Sequence, residues 1–193
     1  MYLSKNHSEN GVLFTVIILF ILFLLFILTK FRHNIFGDQI GTWNGVSIYS
    51  NKQYKFNKNN ESNTNYCNGV YTGIKWQCVE FARRYLIITR DITFENVTSA
   101  FEIPDAKFTT LNGNTVIPTN ELKIGSLIVW PSYYELNAPH GHVAVVSSIK
   151  ANGITVVEQN YNNDLKFSHN FSHKFSHRFI PRNNMHNVTI LTV

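Results

Sequence analysis

Gln77–Thr89 reads QCVEFARRYLIIT. Val79, Ala82, Leu86 and Thr89 recur at helical spacing, and Phe81, Tyr85 and Ile88 widen the same stripe, which predicts an amphipathic helix. The helix opens almost on Cys78. A cysteine in the first turn faces unpaired N–H groups and the positive end of the helix dipole, and both favour the thiolate. A lone cysteine there is commonly a small core residue, so its chemistry depends on what the rest of the chain brings to it.

Downstream, from Lys123 onward, strands are predicted. Gly125–Trp130 (GSLIVW) and His142–Ser147 (HVAVVS) read as buried strands, Asn152-Gly153 as a hairpin turn, and Ile154–Gln159 as the returning strand. Two arms of about seven residues around that turn place His142 and Glu158 at the same open end. A carboxylate following Ile-Thr-Val-Val is costly to bury alone, and the imidazole of His142 is its natural partner. Cys78, His142 and Glu158 together supply a nucleophile, a general base and an orienting carboxylate. The N–H of Cys78 is a ready oxyanion donor, and Gln77 or Asn160 could supply the second. His140, in the loop before Gly141, reads as a rim residue. Phe94–Ile103 reads as a second short helix or loop. A helix followed by an antiparallel meander predicts an α+β domain.

Gly73–Arg84 (GIKWQCVEFARR), Gly141-His142-Val143-Ala144 and Glu158-Gln159-Asn160 resemble the CHAP amidohydrolase/peptidase group. The nearest likeness is to the amidase domain of glutathionylspermidine and trypanothione synthetase/amidases. The resemblance runs over roughly residues 36–181. It implies a papain-like domain of the CHAP and NlpC/P60 kind, with the nucleophile helix packed on an antiparallel sheet. It also implies a Cys78–His142–Glu158 centre with Asn160 as a fourth polar member, and Gln77, Trp76 and Arg83 at the substrate site, Arg83 near a substrate carboxylate. The expected reaction is hydrolysis of the amide joining a glutathione glycine to a polyamine, through a thioester. The alternatives are a cell-wall amidase or endopeptidase acting on a peptide-like substrate, and a decayed scaffold used for binding. Conjugate synthesis is not expected of these 193 residues, nor is any cofactor. No Asp-rich calcium loop precedes Cys78, so metal-independent activity is expected.

Upstream, Val12–Leu28 (VLFTVIILFILFLLFIL) carries no charge, Gly or Pro. A helix of that length rises about 26 Å, against a hydrocarbon core of roughly 30 Å. The run ends in Thr29-Lys30-Phe31-Arg32-His33, with no small-residue cleavage site. The expected organisation is a tail over 1–11, a single-pass transmembrane anchor over 12–29, a juxtamembrane linker over 30–36 and the catalytic domain over 37–193. Lys30 and Arg32 favour a cytoplasmic domain and five Asn-x-Ser/Thr sequons a lumenal one, which leaves the side open. Residues 37–50 read as a turn-rich entry ending in a short strand, and 51–69 as an Asn-rich loop.

The net charge of +5 is dispersed and lacks the basic stripe of a nucleic-acid binder. Two cysteines make no disulfide scaffold. Residues 167–179 read FSHN-FSHK-FSHR-F, a period-four repeat read as a surface hairpin. In a helix, His169, His173 and His177 would instead form a ladder.

Overall fold

The computed structural model describes residues 5–30, 36–51, 63–132, 139–161 and 177–193, with side chains described from residue 11 to 26 in the first of these. The chain divides into two compact units, Met1–Asn34 and Ile35–Val193.

The first unit holds one helix, α1 (Lys5–Lys30). Among the described residues no helix is long and apolar enough to cross a membrane. The expected anchor over 12–29, and with it the single-pass membrane location, is thereby corrected.

The second unit is a mixed α/β domain. Its strands are β1 (Gln39–Trp43), β2 (Val46–Tyr49), β3 (Thr64–Cys67), β4 (Val70–Ile74), β5 (Ile92–Phe94), β6 (Phe108–Thr110), β7 (Thr115–Val116), β8 (Leu127–Trp130), β9 (His142–Lys150), β10 (Gly153–Val157), β11 (His177–Pro181) and β12 (Thr189–Leu191). Its helix, α2, runs Cys78–Arg90. Two short hairpins precede α2, the first where a turn-rich entry ending in a short strand was expected and the second starting in the stretch read as loop. β1 pairs with β2, and β3 with β4, both antiparallel. Each turns on an Asn-Gly pair, Asn44-Gly45 and Asn68-Gly69, with positive φ at all four residues, the geometry two-residue hairpin turns require. The helix or loop expected near Phe94–Ile103 resolves into β5 and a 3-10 helix, Ala100–Asp105.

The main sheet is antiparallel with order β11-β10-β9-β8-β12. It is a meander whose last strand returns beside its first, and both of its faces are covered. Leu127, Val129, Val143, Val145 and Val157 pack with Phe81, Ala82, Tyr85 and Leu86 of α2. On the opposite face Ile128, Ala144, Val146, Ile154, Val156 and Ile180 form a second cluster, with Trp130 against it. This double burial explains why β9 is apolar at consecutive positions instead of alternate ones. Gly153 contributes by what it lacks, since a Cβ there would lie 2.2 Å from the carbonyl oxygen of Ile180. Only glycine lets β11 approach this closely.

α2 departs from its expected stripe. Residues 80–87 are all buried, three charged ones included, and Ile88 is exposed. Two of the charges, Glu80 and Arg84, are tolerated because they are paired, and Arg83 donates to backbone carbonyls. Glu80 and Arg84 form an ion pair at 2.6 Å, and the Gln159 amide joins both, donating to Glu80 at 2.9 Å and accepting from Arg84 at 3.0 Å.

Candidate active site

Cys78 is the first residue of α2, and Gln77 caps it in an extended conformation. Trp76, just before, sits at φ +63° with its ring 4.0 Å from that of Tyr49. Asn51 donates to its backbone carbonyl at 2.9 Å. The chain therefore turns sharply into the helix and leaves the Cys78 thiol at the rim, half-buried.

His142 opens β9 and Glu158 follows β10. Nε2 of His142 lies 2.9 Å from Oε2 of Glu158, with side-chain exposures of 12% and 3%. Their meeting depends on a β-bulge. Thr155 pairs with Ser148 but Val156 pairs with Val146, so one residue of β9 is surplus. Val157 then pairs with Val145, which sets Glu158 beside Ala144 and on the same face as His142. Had Ser147 been paired in regular register, Glu158 would lie beside Val145 and on the other face.

Burial disfavours an ionised Cys78, but the charge and hydrogen bond of His142 and the backbone N–H groups of Val143 and Val79 outweigh it, and the thiol pKa is lowered. Burial likewise opposes an imidazolium at His142, yet Cys78 and Glu158 raise its pKa to about 9. Glu158 is held below the ordinary carboxylate range, against its burial, by Arg178 and His142. With Nε2 engaged by Glu158, Nδ1 is the ring nitrogen left for the thiol. The arrangement suits a thiolate–imidazolium pair.

The tripeptide after β10 divides its work. Glu158 meets His142. Gln159 bonds Glu80, Arg84, the Tyr49 N–H at 2.8 Å and the Gln77 carbonyl at 3.3 Å. Asn160, at φ +55°, donates its side-chain amide to Oε1 of Gln77. Gly141 makes the entry to β9 possible: it sits at φ +62°, and a Cβ would lie 2.4 Å from the Trp130 carbonyl oxygen.

Arg83 is placed elsewhere. It is 2% exposed, donates to the carbonyls of Thr72 (3.2 Å) and Glu95 (2.7 Å) and lies 4.5 Å from the Phe94 ring. Burial lowers its pKa to about 10. These contacts lie away from Cys78. His140 is exposed, its Nδ1 2.9 Å from the Ser99 hydroxyl. The residue missed by sequence reasoning is Arg178. Its Nε and Nη2 donate to Oε1 and Oε2 of Glu158 at 2.7 and 2.8 Å. His169 and His173 lie outside the described residues, and His177 packs edge-on to Trp43. Among the described residues no cluster suited to a metal is present.

Residues 69–160 match the CHAP domain family. The chain is 32% identical over 130 residues to the bifunctional glutathionylspermidine synthetase/amidase of Escherichia coli K12, covering 60% of this chain and 21% of that protein. It is 28% identical over 129 residues to the trypanothione synthetase of Crithidia fasciculata, covering 60% and 18%. The chain thus spans about a fifth of the length of these relatives. The crystal structure of Ly7917 with the hydrolyzing product of MDP overlaps 61% of this chain and 53% of its own at a TM-score of 0.43 and 15% identity. The stretch that matches the family includes Cys78, His142 and Glu158.

Proposed function

We propose that this chain is a cysteine amidohydrolase that cleaves the C–N amide of a small thiol–polyamine conjugate of the glutathionylspermidine type. The observation that carries the reading is the His142 ring held between the Cys78 thiol and the Glu158 carboxylate. The names of the relatives support the substrate class.

In the first half-reaction the Cys78 thiolate attacks the carbonyl carbon and an S–C bond forms. His142 gives its proton to the amide nitrogen as the C–N bond breaks, and the free amine leaves. The developing oxyanion takes the N–H of Cys78 and the side-chain amide N–H of Gln77. Gln77 is suited to donate because Asn160 already occupies its oxygen. In the second half-reaction water adds to the thioester carbon and yields its proton to His142. The C–S bond breaks, releasing the acid and restoring the ion pair. Glu158 keeps the ring aligned in both halves. Trp76 and Gln77 flank the nucleophile and are assigned to substrate contact. Arg83, buried away from the thiol, is left out of that assignment.

The test is release of free spermidine from glutathionylspermidine by the full chain, with Cys78→Ala as control and turbidity of bacterial walls followed in parallel. Release that disappears with Cys78→Ala is expected. Wall lysis without spermidine release would overturn the substrate class and move the reading to a peptidoglycan bond.

A further inference from the structure

We propose that Arg178, supplied by the last unit of the FSH repeat, is a positioning residue that sets both the aim and the effective charge of the Glu158 carboxylate. The proposal rests on the reading of Cys78, His142 and Glu158 as the reacting centre.

The geometry begins with strand register. Arg178 pairs with Val156, two residues before Glu158, so the guanidinium rises on the face that carries the carboxylate. It engages Glu158 as a two-pronged fork, the arrangement that adds direction to charge. With Nε2 of His142 on Oε2, three donors hold a carboxylate that is 3% exposed. The guanidinium is fixed in turn, its carbon 3.6 Å from the centre of the Tyr161 ring and 5.0 Å from that of Trp130. Those two rings also flank His142, at 5.3 and 5.7 Å. The groups facing the imidazole are therefore Cys78 from α2, Trp130 from β8, Glu158 and Tyr161 from the segment after β10, and through Glu158 the cation from β11.

The fork has two consequences. It prevents the carboxylate from rotating, so the lone pair of Oε2 stays on Nε2. It also shares the anion's charge, so the imidazolium receives less stabilisation than a lone carboxylate would give. Removing Arg178 should loosen the alignment and at the same time hold the His142 proton more tightly. A residue that only braced the fold would do neither. Of the three repeat units, ending in Asn170, Lys174 and Arg178, only the last offers a planar fork. Lysine would present a point charge.

The experiment compares wild type with Arg178→Met, Arg178→Lys and Tyr161→Leu. It reads kcat/KM against pH on glutathionylspermidine, the rate of Cys78 alkylation by iodoacetamide against pH, and Tm. Arg178→Met is expected to lower kcat/KM about ten- to hundredfold and to move the alkaline limb of both profiles upward. Arg178→Lys should recover part of the rate and most of the limb position, and it gives the same comparison if the Met variant does not fold. Tyr161→Leu should move both readouts in the same direction by less. A lower Tm with unchanged profiles would overturn the proposal and leave Arg178 a brace. If wild-type Cys78 alkylates no faster than free cysteine at neutral pH, the reacting centre itself fails, which the wild-type arm alone reveals.

Discussion

The imidazole of His142 donates from Nε2 to Oε2 of Glu158 at 2.9 Å, although the two residues stand on strands of unequal length. One surplus residue in β9 brings them to a common face. The site depends on this parity as much as on the identities of its residues.

Parity can be tested directly. Inserting one alanine between Val157 and Glu158 leaves Val157 in its core position and turns the carboxylate to the opposite face. Activity should fall by about three to four orders of magnitude. Deleting Ser147 removes the surplus residue and keeps both flanking pairings, Thr155 with Ser148 and Val156 with Val146, so Glu158 stays on the face of His142 and activity should be retained. Spermidine release on variants that keep a cooperative thermal transition checks both, and equal activity of the insertion variant would refute the register argument.

The pH dependence has a definite sign. The thiol pKa is lowered and that of His142 raised to about 9, so iodoacetamide should alkylate Cys78 well below the pH at which an ordinary thiol ionises. His142→Ala should return that profile to an ordinary thiol's. In stability, the His142 contribution is present below its unfolded value of 6.5 and lost as pH rises through about 9. The Glu158 contribution runs the other way: it is present above 4.5 and lost as pH falls through its lowered value. Thermal melts of wild type and Glu158→Gln should therefore converge on acidification, and a constant gap between them would contradict the assignment.

Gly141→Ala is expected to harm the site more than its size suggests. A left-handed backbone costs a non-glycine residue about 1–2 kcal/mol, and the new Cβ meets a backbone oxygen that cannot move aside. A shift of the adjoining His142 by about 1 Å is enough to lower kcat about a hundredfold. Melting and turnover measured together would show both losses, and a variant with wild-type turnover would remove the constraint argued here.

Gln159→Leu keeps the volume but leaves the Tyr49 N–H unpaired and thins the contacts of the buried Glu80–Arg84 pair. Stripping partners from buried polar groups predicts a loss of about 2–4 kcal/mol, read by chemical denaturation. An unchanged midpoint would mean that the network contributes little to holding α2.

Much of the site was legible in the sequence because its parts are local. The start of α2 at Cys78, the hairpin turn at Asn152-Gly153 and the position of Glu158 beyond an apolar run each follow from neighbours a few residues away. What was hidden depends on distant pairing. The burial of Arg83, expected near a substrate carboxylate, and of Arg84 follows only once Thr72, Glu95, Glu80 and Gln159 are brought around them. The bulge could not be read, since Ser147 and Ser148 differ only in which one has a partner across the ladder. Arg178 was masked by the repeat around it, although the apolar Phe179-Ile180-Pro181 that follows was a signal that the last unit leaves the repeat and enters a strand. The turn at Asn44-Gly45 was legible as part of a turn-rich entry, whereas the hairpin on Asn68-Gly69 was hidden because the preceding Asn-rich composition resembled loop.

Cys78 and His142 are positioned from opposite faces of one sheet. α2 rests on the layer of Leu127 and Val145, while His142 points to the layer of Ile128 and Val146. They meet where α2 and β9 begin, so neither layer alone can hold the gap between them. A substitution that slackens one layer could leave the molecule well folded by most bulk probes and yet silent. Selections for solubility and selections for turnover would then retain different variants of this domain.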